Sequence, residues 1–162
     1  MDETPTPTGE GGPHAGEPPI TPDGARQAMI AHAAATGSAI HGRLGGPPDY
    51  PRLVQLLEDP EAVRFPVQVV FDAGPLQGEE LAYPLTAHGD AANGYTMYVH
   101  PALAGRSADT VAAVLYALVV VNYGEAATGE VGEAFGAAVL GVTRDDFYRT
   151  MCGIASRVKD ES

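Results

Sequence analysis

The chain has 162 residues, 44% of them hydrophobic, with 9 Lys+Arg against 21 Asp+Glu and a formal net charge of −12. That length suits one domain with one ordinary core. The charge argues against a nucleic-acid partner and against a polybasic membrane anchor, since both begin with clustered Lys and Arg.

Residues 1–24 carry five acidic residues, no basic ones, six prolines and five glycines. Such a segment buries too little apolar surface to offset its ordering entropy, so it reads as a disordered acidic tail. The remainder, 25–162, reads as a single globular domain with nine basic and sixteen acidic residues, a net −7. The opening Met-Asp-Glu has neither the basic nor the apolar region of a secretory signal. One cysteine, Cys152, cannot form an internal disulfide. Both features point to a cytoplasmic protein.

Ala25 to about Thr36 is Ala-rich and predicts a helix ending at Gly37, with a further turn over Ile40–Leu44 before Gly45-Gly46-Pro47-Pro48. Asp49 caps a short helix over Pro51–Glu58. Val67–Asp72 is the clearest strand, β-branched and bounded by Pro66 and Gly74. Leu81–Thr86 reads as an edge strand, because Pro84 excludes a central position. After the Asn93-Gly94 turn, Tyr95–His100 is the second clear strand. Ser107 or Asp109 opens a helix to about Tyr123 whose interior, Val111–Val121, is apolar for eleven residues. A helix apolar all round is buried all round, so about 109–123 is the central helix; a bilayer span needs about 20 residues. Glu130–Leu140 and a Thr143-capped helix through Val158 follow. A two- or three-stranded sheet with helices before and after it is an α+β pattern.

Candidate chemistry is sparse. Strand alternation puts Thr96, Tyr98 and His100 on one face, and Asp72 ends the other clear strand. If those strands are parallel neighbours, Asp72 could orient His100 as a general base, with Tyr98 or Tyr123 nearby. The competing reading is an Asp72 that stabilises its own Ala-Gly-Pro turn and a strand-end His100 bonded to backbone or solvent. No Cys-x-x-Cys, His-x-x-x-His or phosphate-loop pattern occurs, and His32 and His41 lack helical metal-pair spacing. No metal and no cofactor are expected. Cys152 reads as a buried or half-buried thiol. Glu125, Glu130, Glu133, Asp145 and Asp146 gather around two helix starts, where the macrodipole favours anions. Gly132 and Gly136 would let another backbone approach closely, within the fold or in a homodimer.

From about residue 67 to 141 the order of elements resembles a minimal zincin-type metallopeptidase domain. Tyr95–Pro101 resembles its strand, Val111–Tyr123 occupies its active-site helix, and Phe135-Gly-Ala-Ala-Val-Leu140 resembles the later helical run. The family's helix carries His-Glu-x-x-His. Here Tyr116–Val121 holds neither histidine nor glutamate, so zinc ligands and general base have no positions to be carried onto. The resemblance therefore implies a zincin-like shell without zinc chemistry. With no assembled catalytic motif, the sequence leans away from an enzyme. It favours a non-catalytic module that binds a protein partner or itself; the alternative is a small enzyme or ligand-binding protein with its site near Asp72 and His100.

Overall fold

In the computed structural model, which describes residues 21–124, 127 and 129–161, chain order runs α1 (Pro22–Leu44), α2 (Tyr50–Leu56), β1 (Val67–Phe71), β2 (Ala82–Thr86), β3 (Tyr95–Val99), α3 (Ser107–Tyr123), α4 (Gly129–Leu140) and α5 (Arg144–Glu161). The fold is α+β.

The first helix begins earlier and ends later than its sequence suggests. Thr21 is extended and its hydroxyl accepts the Gly24 N–H at 2.9 Å. Pro22 fills the first turn, where its missing N–H costs nothing. Pro22–Gly24 thus belong to the helix rather than to the tail; residues 1–20, His14 included, lie outside the described residues. Gly37 does not stop the helix either. It sits where α1 crosses α4, and a Cβ there would lie 2.7 Å from the Phe135 carbonyl oxygen. The glycine gives up helix propensity for backbone contact. The helix ends instead at Gly45, in the left-handed conformation.

The sheet order is β1-β3-β2. β1 runs parallel to β3, Val67 opposite Tyr95 and Phe71 opposite Val99. β2 runs antiparallel on the other side, Ala82 opposite Val99. The His100 N–H donates to the Leu81 carbonyl, and the Ala87 N–H to the Gly94 carbonyl. This phase turns the peptide groups of Leu81, Tyr83, Leu85 and Ala87 toward β3 and those of Ala82, Pro84 and Thr86 outward. Pro84, which has no N–H, thus falls on the open edge where none is needed. Met97 and Val99 are fully buried against the helices, while Thr96 and Tyr98 take the other face.

α3 packs against β2 and β3 on one side and α4 and α5 on the other. From Thr110 to Val121 every residue is buried except Tyr116 and Val120, which are partly open. The Asn122 amide pins its end: Nδ2 donates to the Ala62 carbonyl and Oδ1 accepts the Arg64 N–H. The two glycines of α4 serve internal packing. A Cβ on Gly132 would meet the Tyr116 carbonyl oxygen at 2.6 Å, and one on Gly136 the Phe147 ring at 2.4 Å. The Thr143 hydroxyl accepts the Asp146 N–H to cap α5, which buries Phe147, Ile154 and Val158. Among the described residues no helix is long and apolar enough to cross a membrane.

Candidate functional site

A cleft of about 460 Å³ opens between the β2 edge and helices α3 and α5. α3 contributes Ala113, Tyr116, Ala117, Val119 and Val120, and α5 contributes Tyr148, Met151, Cys152 and Ala155. The α5 set has the spacing i, i+3, i+4, i+7, a single helical stripe, and the α3 set follows the same spacing with Val119 added at one side. On α5 this stripe lies beside the buried one, so one helix seals the core with Phe147 and Ile154 and lines a cavity with the next row. The start of α4 adds Gly129 and Glu133, and the approach to β2 adds Glu79, Glu80 and Leu81.

The lining is mostly apolar, and its polar groups are the hydroxyls of Tyr83, Tyr116 and Tyr148, the Cys152 thiol and the carboxylates of Glu79, Glu80 and Glu133. Burial pushes the Tyr116 hydroxyl above the ordinary tyrosine pKa, and the Glu133 charge adds to that shift. Tyr148 is also raised, first by its hydrogen bond with Cys152. Cys152 itself is exposed, not the buried or half-buried thiol expected from sequence. It falls on the cleft stripe rather than on the stripe of Phe147, Ile154 and Val158. Glu133 accepts from Arg144 at 3.3 Å, and Glu79 lies 3.7 Å from Lys159. Glu80 accepts the Gln77 N–H. Among the described residues that line the cleft there is no lysine, arginine or histidine.

The general-base candidates and tyrosines singled out by sequence lie elsewhere. The parallel β1–β3 register ends at Phe71 opposite Val99, and the Asp72 N–H bond to the Val99 carbonyl continues it so that Asp72 follows on beside His100. Yet the His100 Nδ1 accepts the Ala102 N–H at 3.1 Å, capping its own 3-10 turn. Asp72 Oδ1 accepts the Gly74 N–H at 2.9 Å, closing its own loop. Tyr98 lies opposite Val70 and Tyr83 on the sheet face away from the core. The Tyr123 hydroxyl is 2.6 Å from His32 Nδ1, and burial raises its pKa. None of the four lines the cleft. Glu130 pairs with Arg26, Asp145 and Asp146 pair with Arg149, and Glu125 lies outside the described residues. Among the described residues no three His, Cys, Asp or Glu side chains gather into a metal-holding group.

Comparison with protein-family models, with curated proteins and with solved structures finds no match to this chain. The cleft residues nevertheless leave a trace in the sequence. Tyr116 carries the one polar tip within Val111–Val121. A hydroxyl in an otherwise aliphatic run marks the flank that reaches solvent or a cavity.

Proposed function

We propose that this chain is a non-catalytic binding protein that receives the apolar part of a small ligand in the cleft beside α3. The observation that carries the reading is a cavity between α3, α5 and the β2 edge whose lining is mostly apolar, with a few hydroxyl, thiol and carboxylate groups among it. Small-ligand sites have this composition, and volumes of about 300–1,000 Å³. The general-base candidates support it by their position, since Asp72 and His100 stand outside the cleft and bond to their own turns. The zincin resemblance fits as a shell whose helix lacks ligands and base. Amide-shift mapping of the full chain against a mixture of small apolar and amphipathic fragments tests the reading. Shifts are expected at Tyr116, Met151 and Cys152. Shifts centred on Asp72 and His100 instead would transfer the site to the strand ends and revive the enzymatic alternative.

A second reading, self-association, has its own observation. Val70 and Leu85 are 39% and 43% exposed on the sheet face that, among the described residues, no helix covers, although a parallel pair such as β1–β3 is ordinarily covered on both faces. Sedimentation equilibrium is expected to show a concentration-dependent dimer that Val70→Lys with Leu85→Lys abolishes. A wild-type monomer at millimolar concentration removes this reading.

A further inference from the structure

We infer that the cleft selects organic cations, an ammonium group carried on an apolar body; this rests on the binding reading above and specifies its ligand. The argument is charge complementarity around an apolar cavity. Carboxylates reach the opening from two walls, Glu79 and Glu80 from the approach to β2 and Glu133 from α4. No cationic side chain lines the space between them, among the described residues. The ion pairs of Glu79 and Glu133 are made with residues outside the cavity lining, Lys159 and Arg144, and Glu80 accepts only a backbone N–H, that of Gln77. The Glu79 and Lys159 side chains are 77% and 75% exposed, so water screens that pair and little is lost on exchanging it. An incoming ammonium has the further advantage of an apolar body anchored on Ala117 and Val120.

Aromatic rings add to the selection. Tyr116 and Tyr148 line the same cavity from α3 and α5, and the face of an aromatic ring attracts a cation through its quadrupole. A carboxylate ligand would meet like charge from both walls, and a neutral one would forgo both contributions.

The test uses three probes with one apolar body and different charge: benzyltrimethylammonium, benzyl alcohol and phenylacetate, titrated into the full chain by amide-shift mapping. The cation is expected to bind about tenfold more tightly than the alcohol, with phenylacetate weakest. Glu133→Gln, and separately Glu79→Gln with Glu80→Gln, are expected to weaken the cation about three- to tenfold and leave the alcohol unchanged. A bound cation is also expected to lower the pH at which Tyr116 ionises, read by ultraviolet absorbance, a response that a merely structural role for the glutamates would not produce. Equal binding of cation and alcohol, or a preference for phenylacetate, overturns the inference and leaves the cleft as a binding site. No cleft binding by any of the three overturns the binding reading with it.

Discussion

Two helix pairs in this molecule use small residues to opposite ends. Where α1 crosses α4, Gly37 and Ala33 let the backbones touch, and Ala33 is wholly buried. Between α3 and α5, Ala117 and Ala155 line an open cleft. Small side chains permit close approach but do not compel it. What decides is the bulk on the adjacent stripe. On α5, Phe147 inserts against Gly136, where a Cβ would meet its ring at 2.4 Å, and lies 6.4 Å from the Tyr116 ring with the two planes 26° apart. That ring props α5 on α4 and α3 at one end, so the row of Tyr148, Met151 and Cys152 overhangs a gap. α1 carries no comparable prop at Gly37 and settles fully onto its partner.

The largest expected effect breaks the closed side. Gly→Ala in a helix ordinarily gains up to about 1 kcal/mol, because glycine loses more backbone freedom on folding. At Gly42, where a Cβ meets nothing within 4 Å, that gain is expected. At Gly37 the same change drives a methyl into the Phe135 carbonyl, and a loss of about 2 kcal/mol is expected from the forced separation. Urea unfolding of the two variants is expected to shift the midpoint in opposite directions. A Gly37→Ala variant as stable as Gly42→Ala would mean the crossing is not held by backbone contact.

The same contrast explains which features the sequence discloses. Local chemistry announces itself: the Asp49 cap, the Pro84 edge strand, the Asn93-Gly94 turn and the Thr143 cap each act within a few residues, and each stands where its chemistry places it. The apolar run of α3 declares its burial in the same way. Gly37 deceives because a helix-interior glycine and a helix stop look alike until the crossing helix is known. Cys152 deceives for a related reason: its position relative to Phe147 and Ile154 is legible, but whether the neighbouring stripe meets another helix or a void depends on residues far away in the chain. Asp72 and His100 are brought side by side by a register that pattern alone leaves open, and each is occupied by the turn its own neighbours form.

A smaller effect sharpens the open side. Ala33 and Ala155 are both helical alanines, and each is enlarged to leucine. Ala33→Leu overfills the closed crossing and is expected to cost about 1–2 kcal/mol. Ala155→Leu extends into the cleft, and a stability change within about 0.5 kcal/mol is expected. The second variant is also expected to lose fragment binding at Tyr116, since its added carbons occupy the ligand's volume. Thermal unfolding with parallel shift mapping reads both. A large destabilisation from Ala155→Leu would mean that the gap closes in solution and that α5 packs on α3 as α1 does on α4.

The smallest effect concerns Tyr116, the residue through which the central helix reaches the cleft. Burial, then the Glu133 charge, raises its pKa in the folded state above the ordinary tyrosine value. In the unfolded chain the hydroxyl titrates near 10 (about the model-peptide value). Between those two values the unfolded state sheds its proton while the folded state keeps it, so stability falls as pH rises through that window. Below the unfolded value both states hold the proton and the shift contributes no pH dependence. The ceiling is about 1.4 kcal/mol per pH unit of separation, and a side chain half open to solvent delivers a fraction of it. Tyr116→Phe removes the titrating group. The difference in stability between wild type and this variant is therefore expected to be constant from pH 7 to 9 and to move in the variant's favour above pH 10, by less than about 1 kcal/mol. Urea unfolding at pH 8 and pH 10.5 measures it. Parallel pH profiles for the two proteins would mean that the Tyr116 hydroxyl is as well solvated as a free one, and so that water, rather than an apolar wall, fills the space beside it.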